Sequence, residues 1–377
     1  MERRQSETVS RGALKSVVDK VRQAIPDEAR IIFMPEGDVY GISGELGIYA
    51  SLPAEGFFQD KTFAVPSKVL SDFLAACSGE ELHIALPEAG DKLRLRSGSF
   101  SATLAVEDPS IQWDVLNKLF PVYPDEEAVL EFASSKDFER LLNLAFPVAS
   151  NDANKTVLNG VYITERGVAY ATNNYAAVRV EAIGKKVSDA RPIFLSKRLA
   201  AAIKANRDWA RFVWTEKGII SVGGDFCYYS IPHLEVEHPV TDTLFEPYLD
   251  QEDGWVSLAD SNIETALGRI KVFSSSRDLD QSLVQLVREG SEIQLLSQKA
   301  VGEFRDRAEM GGESSSFDVL ANPDFLLHGL GHAGEVFIDS DHRRMVFRSA
   351  DRTFYYLVSL GTPPSPGAKD DDENVPF

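Results

Sequence analysis

The chain repeats one short series of elements three times, and a repeat of this kind restricts the architecture strongly. Each copy contains an apolar stretch typical of a strand, then a helix-capping turn, then a helical pattern. Cap side chains accept hydrogen bonds from the free N–H groups of a helix start, and proline fits the first turn. The three copies are FAVPSKVLSDFLAA (63–76), IFLSKRLAAAIKA (193–205) and FDVLANPDFLLHGL (317–330).

Each copy also contains two alternating apolar and polar runs around a Gly, Asp or Ser turn, which is typical of a β-hairpin. Phe100, Phe226 and Phe354 hold the same place just after each turn, and we expect them to pack in the core. The spacing between copies is close to constant, so chance similarity is a poor explanation. The hairpin segments are LRLRSGSFSATL (93–104), IISVGGDFCYYSI (219–231) and MVFRSADRTFYYLVS (345–359).

A helical pattern opens each copy; in the first, Leu14, Val17, Val18 and Val21 fall on one face. Each unit is therefore predicted to hold two helices and several antiparallel strands, which is an α+β architecture. The opening segments are GALKSVVDKVRQAI (12–25), SKDFERLLNLAFPVA (135–149) and DSNIETALGRIKVF (260–273).

The repeat divides the chain into three predicted domains, residues 1–127, 128–247 and 248–361. The remaining segment, 362–377, is rich in proline and glycine and then acidic, which predicts a flexible tail.

The formal charge of -19 on 377 residues argues against a protein that coats nucleic acid with its whole surface. It leaves open a protein that gathers its Lys and Arg on one face. Two cysteines give no disulfide framework, and the sequence contains no apolar run as long as a membrane span. We therefore expect a cytoplasmic protein with no membrane partner.

The middle copy carries the segment VLNGVYITERGVAYATNNYAAVRV (157–180), with Leu-Asn-Gly followed by Ala-Thr. This segment resembles domain two of the bacterial DNA polymerase sliding clamp, the β-type processivity factor. FERLLNLAFPVASND (138–152) is similar to that family's preceding helix. NPDFLLHGL and TFYYLVSL resemble elements of its third domain. The resemblance covers roughly residues 8–361 and implies the DNA-clamp fold.

The resemblance implies a homodimeric ring of two three-domain chains, with helices lining the hole and sheet on the outside. It implies that the ring encircles double-stranded DNA without sequence preference, tethers a replicative DNA polymerase and is placed by a clamp loader. Basic side chains in the lumen then only need to offset phosphate repulsion. The candidates on or just after predicted helices, with Lys155 added by match to the family, are Lys15, Lys20, Arg22, Lys68, Lys155, Lys197, Arg198, Lys204, Arg207, Arg269 and Lys271.

In that family, polymerases and other clients insert a short peptide with apolar anchors into a groove between domains two and three. Residues 174–177 replace the family's Gly-His-Arg-Leu, and 359–361 replace its Met-Pro-Met-Arg-Leu ending. These changes remove a basic side chain and a flexible methionine, so we expect an altered set of clients. The groove residues implied by the resemblance are Leu158, Thr172, Asn174, Tyr175, Ala176, Ala177, Pro247, Leu357 and Ser359.

The final residues, DDDENVPF, resemble the tail of bacterial single-stranded DNA-binding proteins. Acidic side chains can steer towards a basic pocket while a terminal Phe and its carboxylate anchor there. The resemblance implies a second recruitment site for proteins that read such tails. Its residues are Asp370, Asp371, Asp372, Glu373, Val375, Pro376 and Phe377.

The sequence predicts no enzymatic activity, no metal and no cofactor. Gly223 to Asp225 sit at a hairpin turn, and His328 and His332 have no evident third ligand, so we expect packing or surface roles. Asp339 and Asp341 flank a turn without a second acidic cluster.

Two other functional hypotheses stay open at this point. One is a single-stranded DNA-binding protein with an acidic recruiting tail, which requires a basic groove with exposed aromatic residues. The other is a clamp-like scaffold that does not close into a ring. The divergence from the family and the added tail favour a mobile or viral replicon, such as a phage, as the source.

Overall fold

The structure is a computed structural model, and it describes the residues in the following ranges: 6–35, 37–43, 46–52, 62–86, 91–108, 128–132, 134–152, 154–155, 157–182, 186–188, 192–197, 211–215, 218–222, 227–231, 238, 240, 242–259, 261–274, 283–299, 302–311, 316–341 and 343–363.

The contacts between residues divide the chain into two compact units. Unit 1 combines 1–142, 162–167 and 183–237, and unit 2 combines 143–161, 168–182 and 238–377. The predicted boundary at 247–248 falls inside a helix, and residues 109–127, before the other boundary, lie outside the described residues. The division into three domains stays a prediction.

Five of the six described α-helices begin and end close to the predicted positions, and the fourth was not predicted. The six are α1 Arg11–Ala24, α2 Ser67–Ala76, α3 Ser135–Ala145, α4 Asp242–Leu249, α5 Ile263–Ser274 and α6 Pro323–Leu330. A 3-10 turn, Phe146–Val148, follows α3. Most of the second helix predicted in the middle copy lies outside the described residues, since 198–210 are not among them.

The strands are short and pair in antiparallel fashion. In chain order they are β1 Ser6–Ser10, β2 Arg30–Phe33, β3 Asp38–Ser43, β4 Leu46–Ser51, β5 Phe63–Pro66, β6 Glu81–Ala85, β7 Lys92–Ser97, β8 Phe100–Ala105, β9 Ala128–Glu131, β10 Gly160–Ile163, β11 Val168–Thr172, β12 Ala176–Glu181, β13 Lys186–Ser188, β14 Ile193–Ser196, β15 Arg211–Thr215, β16 Gly218–Val222, β17 Cys227–Ile231, β18 Val256–Ser257, β19 Val284–Glu289, β20 Glu292–Lys299, β21 Gly302–Glu309, β22 Phe317–Ala321, β23 Glu335–Asp339, β24 Arg344–Arg348 and β25 Phe354–Ser359. The three predicted hairpins are confirmed as β7–β8, β16–β17 and β24–β25.

Unit 1 contains a four-stranded sheet in the order β1-β6-β7-β8 and a nine-stranded sheet in the order β13-β9-β15-β16-β17-β4-β3-β2-β5. Helix α1 begins after Ser10, whose side chain accepts a hydrogen bond from the Ala13 amide. Its apolar face is buried, as Leu14, Val17, Val18 and Val21 predicted. A Cβ atom on Gly41 of β3 would lie 2.6 Å from a Val21 methyl group, so glycine permits this close helix–sheet contact.

Unit 2 contains a four-stranded sheet in the order β21-β20-β19-β22 and the consecutive strands β11-β12-β25-β24-β23-β18 of an eight-stranded sheet. The apolar face of α5 is buried, and it consists of Ile263, Leu267 and Ile270. Helix α6 is capped by the Asn322 side chain, which accepts from the Asp324 amide at 2.9 Å. The unit is therefore built from amphipathic helices packed on antiparallel sheet, which is the predicted α+β arrangement.

The prediction that the three repeat phenylalanines pack in the core is wrong for the first of them. Phe354 is 1% exposed, but Phe100 is 46% exposed. Phe100 lies at the start of strand β8 and covers one ring face by stacking on Phe73, with a centroid distance of 5.0 Å. Phe226 lies outside the described residues.

Candidate partner groove and nucleic-acid interface

Unit 2 contains a groove of about 250 Å³ at the end of the strand pair β12–β25. Seven of the nine residues implied by the family resemblance line it: Thr172, Asn174, Tyr175, Ala176, Ala177, Leu357 and Ser359. Three further residues line it that the sequence did not suggest: Val240, Leu244 and Arg344. The structure thus brings together residues that are almost 190 positions apart in the chain.

One wall of the groove is a tight turn between β11 and β12. The Asn173 side chain accepts from the Tyr175 amide at 3.0 Å and from the Ala176 amide at 2.9 Å. The Thr172 hydroxyl donates to the Ala176 carbonyl at 2.7 Å. Asn174 has φ of 79°, a left-handed conformation that asparagine tolerates better than most residues. These bonds explain why the turn tolerates the sequence Asn-Asn-Tyr in place of the family pattern.

The floor of the groove forms where β12 pairs with β25. Ala177 lies opposite Leu357, and both side chains are buried. The Ser359 amide donates to the Tyr175 carbonyl at 2.8 Å, which extends the pairing beyond the strand. The Tyr175 ring is in turn supported by Phe325 of α6, with a centroid distance of 6.3 Å. The apolar floor is therefore fixed by backbone pairing.

Helix α4 supplies Leu244 to the groove, and a buried polar cluster holds the start of that helix. Asp242, the first helical residue, accepts hydrogen bonds from the Tyr170 hydroxyl and from Arg179 Nε, the latter at 2.9 Å. Arg179 also lies 3.6 Å from Glu181. Burial, and then the Asp242 carboxylate, raises the pKa of Tyr170 well above its usual value. Tyr170 therefore stays a neutral donor to Asp242.

Arg344 places a positive charge at the groove. It lies on β24 opposite Ser359 of β25 and is only partly buried. Ala176 stands where the sequence resemblance implies a basic residue. Arg344, on another strand, brings a cation to the same groove. The sequence predicts the β24–β25 hairpin but not that β25 pairs with β12, and it is this second pairing that brings Arg344 to the groove.

Two of the implied groove residues are placed elsewhere. Leu158 does not line the groove; its carbonyl accepts from the Ser150 amide at 2.9 Å in the loop before β10. Pro247 lies exposed inside helix α4, and that helix presents Leu244 to the groove instead. The loop before α4 could not be matched to the family from sequence, so the sequence could not show that α4 carries Leu244 rather than Pro247 to the groove.

The predicted lumen cations of unit 1 lie next to carboxylates. Lys15 pairs with Asp19 one turn along α1. Arg22 donates to Asp27 at 2.6 Å, and this bond lowers the pKa of the Asp27 carboxyl. Lys68 lies 3.7 Å from the same Asp27.

The lumen cations of unit 2 have similar partners. Arg269 donates twice to Asp306, at 2.7 and 3.1 Å, and this pairing lowers the pKa of Asp306. Lys271 pairs with Asp324. Lys155 lies 4.0 Å from Asp152.

The remaining lumen candidates fall into two groups. Lys20 and Lys197 are partly buried, and burial lowers the pKa of Lys197. Arg198, Lys204 and Arg207 lie outside the described residues. The tail residues Asp370, Asp371, Asp372, Glu373, Val375, Pro376 and Phe377 also lie outside them.

His328 and His332 of unit 2 pack against aromatic rings. His328 lies 5.1 Å from the His332 ring and 5.0 Å from the Tyr356 ring, and its Nε2 is 3.2 Å from the Leu144 carbonyl. Asp339 accepts from the Tyr248 hydroxyl at 2.6 Å. Within the described ranges, no three His, Cys, Asp or Glu side chains are placed to hold a metal ion. Of the described helices, none is both long and apolar enough to cross a membrane.

Solved structures similar to this chain are bacterial sliding clamps. The DNA polymerase III β subunit of Thermotoga maritima matches with a TM-score of 0.76 and 17% identity, over 95% of this chain and 100% of that one. The sliding clamp of Pseudomonas aeruginosa gives 0.75 and 13%, over 95% and 99%. The sliding clamp of Bacillus subtilis gives 0.74 and 15%, over 95% and 99%.

The chain has the sliding-clamp fold. The fold implied by the sequence resemblance is thereby confirmed over 95% of the chain. No protein-family model and no curated protein sequence matches the chain. The sliding-clamp fold thus persists here at an identity of 17% or less to the three structures named above.

Proposed function

We propose that this protein is a DNA sliding clamp, which encircles duplex DNA and tethers a replicative polymerase. The observation that carries the proposal is the sliding-clamp fold over 95% of the chain, shared with proteins described as polymerase III β subunits. The groove of unit 2 supports it, because seven residues implied by the family resemblance line one concave surface. A clamp has no reaction to catalyse, so we propose no enzymatic activity.

Ring closure requires two copies to join head to tail, and the sheet edges of the units offer surfaces for this. Among the described strands, β8 ends one sheet in unit 1 and β21 ends one sheet in unit 2. Edge strands carry unpaired N–H and C=O groups and are templates for another chain. Pairing of β8 with β21 of a second copy would be a heterologous contact, which closes a ring when the rotation fits. The exposed Phe100 at the start of β8 would be covered there.

We propose that the groove binds a short client peptide with apolar anchors and an acidic residue. Val240, Leu357 and Ala177 provide a buried apolar floor for the anchors. Arg344 provides a cation that a peptide carboxylate can meet in a charge-assisted hydrogen bond. The clamp loader and the polymerase are the proposed sources of such peptides.

The carboxyl-terminal tail is proposed as a second recruitment site, on the basis of its sequence alone. Its readers would be proteins that bind the tails of single-stranded DNA-binding proteins. Deleting residues 375–377 should abolish their binding while leaving self-association unchanged. Binding that survives the deletion would remove the tail from the proposal.

The decisive test is retention on DNA circles. A nicked circular plasmid is loaded with the protein and a clamp loader, and half the sample is cut with a restriction enzyme before gel filtration. We expect the protein to elute with the circle and to be lost from the linear form, and to sediment as a dimer. A dimer that leaves circles as fast as linear DNA would refute the clamp function. A strict monomer at replication-relevant concentrations would favour a scaffold that does not close.

The groove is tested separately with two labelled peptides that share two leucines and differ by aspartate or lysine between them. Fluorescence anisotropy should favour the aspartate peptide, and Arg344→Glu should reverse that preference. Arg343→Glu is the matched control, because Arg343 is exposed and does not line the groove. Equal effects of the two substitutions would contradict the role of Arg344.

A further inference from the structure

The four-stranded sheet of unit 1 has one buried face and one exposed face. Strand β7 reads KLRLRS, so its side chains alternate between the two sides. Leu93 and Leu95 are buried, whereas Lys92, Arg94 and Arg96 are all exposed. Three cations therefore stand in a row on the solvent side of one strand. Successive members are about 7 Å apart along the strand, from a rise of about 3.4 Å per residue.

The neighbouring strands add hydrogen-bonding groups to the same face. Arg94 lies opposite Thr103 of β8, and Arg96 lies opposite Ser101. On the other side, Arg96 lies opposite His83 of β6. We call the surface formed by His83, Lys92, Arg94, Arg96, Ser101 and Thr103 the basic sheet face.

Carboxylates are nearly absent from this surface. In the register of β1, β6, β7 and β8, Glu81 is the one acidic residue that shares the side of the basic sheet face, and it lies at the end beside Ser10. Lys92 and Arg94 form no ion pair with any residue that the structure describes, and Arg96 donates to the Gly98 carbonyl at 2.9 Å. This contrasts with Arg22, which donates to a carboxylate.

The surface is concave. A hollow of about 640 Å³ lies over it, lined by His83, Arg94, Arg96, Ser101 and Thr103 among others. In a chain of formal charge -19, an exposed surface with three cations and one peripheral acid attracts anions locally.

We propose that the basic sheet face binds the phosphate backbone of a single nucleic-acid strand. Guanidinium, ammonium and hydroxyl groups are the donors that proteins use most for phosphate oxygens. Here a guanidinium and a hydroxyl stand side by side twice, at Arg94–Thr103 and at Arg96–Ser101. A phosphate group has two free oxygens and can accept from both donors at once.

An acidic peptide, such as the chain's own DDDENVPF segment, fits this surface less well. An extended peptide turns alternate side chains away, so only every second carboxylate would face the cations. Apart from His83, the basic sheet face carries no aromatic side chain, because the Phe100 ring stacks on Phe73 of α2. Base stacking therefore adds little, and phosphate contacts make the binding independent of sequence.

This site differs from the predicted lumen, which rests on cations of the helices. The basic side chains point away from the buried face of the sheet, where Leu82, Ile84 and Leu93 pack. The proposal does not require ring closure, because a short linear strand reaches an exposed sheet directly. Its failure would leave the proposed clamp function intact.

The test measures binding of a fluorescein-labelled, twelve-nucleotide mixed-sequence single-stranded DNA by anisotropy. The variant is the triple substitution Lys92→Gln, Arg94→Gln and Arg96→Gln. A matched triple control, Lys136→Gln, Arg166→Gln and Arg343→Gln, removes the same charge at exposed positions elsewhere. Equal thermal midpoints of the three proteins establish that all are folded.

Three lost phosphate contacts should reduce the slope of log K against log salt by about 2, from about 0.7 per contact on a single strand. When salt rises from about 50 to 200 mM, the affinity of the wild type should therefore fall by about 20-fold more than the affinity of the triple variant. The control should keep the wild-type slope.

Three results would overturn the proposal. The first is a wild-type protein that does not bind the oligonucleotide at about 50 mM salt. The second is a triple variant with the slope of the control. The third is a labelled DDDENVPF peptide that binds the wild type but not the triple variant while oligonucleotide binding is equal in both. That result would assign the face to an acidic peptide.

Discussion

The cluster at the start of helix α4 predicts a loss of stability that can be worked out from its contacts. Asp242→Ala removes the carboxylate that accepts from the Tyr170 hydroxyl and from Arg179 Nε. Tyr170 is fully buried and Arg179 is 8% exposed, so water replaces these partners poorly. A charged hydrogen bond contributes about 1.5–3 kcal/mol and an orphaned buried donor costs about 1–3 kcal/mol.

Two features of the site reduce that sum. The Asp242 side chain is 41% exposed, so solvent screens part of its charge, and Arg179 keeps Glu181 at 3.6 Å. We therefore expect a loss of about 3 kcal/mol in the free energy of unfolding. With a urea m-value at the upper end of about 1–3 kcal/mol/M, the midpoint should fall by about 1 M. Asp242→Asn keeps an acceptor oxygen and should lose about half as much.

Urea unfolding followed by tryptophan fluorescence measures this loss, because Trp255 packs within unit 2 against Tyr355. Glu246→Gln is the matched control: it neutralises an exposed carboxylate on the same helix and should change stability by less than about 0.5 kcal/mol. Leu244 is carried by α4, so Asp242→Ala should also weaken binding of an apolar peptide to the groove. Equal stability of Asp242→Ala and Glu246→Gln would refute the reasoning.

Three further substitutions follow from contacts elsewhere in the chain. Gly41→Ala should cost about 1–3 kcal/mol, because its Cβ would lie 2.6 Å from Val21 and 2.9 Å from Ile25; a calorimetric midpoint equal to the wild type would contradict this. Gly268→Ala, in α5 with open space around it, should stabilise by about 0.5–1 kcal/mol in the same measurement. Burial lowers the pKa of His328 below its usual 6.5, so the unfolded state binds the extra proton and stability should fall as pH drops through 6.5. His328→Gln should reduce the fall of urea midpoints between about pH 7.5 and 5.5, and the part that remains comes from His238, whose pKa burial also lowers.

The repeat predicted the described helices except α4, together with the strands of the three hairpins, because the local signals within each copy agree with one another. Cap residues, hairpin turns and periodicity indicated the same elements, and α1, α2, α6 and the three hairpins were found there. Phe100 was placed in the core from its equivalence to Phe354, but equivalent positions need not have equal burial. At Phe100 the strand is the edge of a four-stranded sheet, whereas β25 has a partner on each side.

The residues that the resemblance implies for the groove lie together where strands carry them and apart where a loop does. Thr172 lies on β11 and Leu357 lies on β25. Strand pairing fixes the positions of both residues, so the residue types that resemble the family are still recognisable in the sequence. Arg344 and Leu244 reach the groove through strand order and through the Asp242 anchor of α4. Such contacts between distant segments leave no periodic signal in the sequence.

The ion pairs of the predicted lumen cations lead to a final prediction about how salt concentration affects retention on DNA. The cations Arg22, Lys68 and Arg269 lie within 4.0 Å of carboxylates, and exposed pairs of this kind contribute only about 0–1 kcal/mol. A passing phosphate can therefore replace a carboxylate with little net gain, which suits sliding within the proposed ring. Topological retention does not depend on such contacts, whereas the basic sheet face has only Coulomb attraction to hold a strand. We therefore expect the protein to stay on nicked circles at about 500 mM salt, where short oligonucleotides have dissociated. Loss from circles and from oligonucleotides at the same salt concentration would mean that charge alone, without an enclosing ring, holds the protein on DNA.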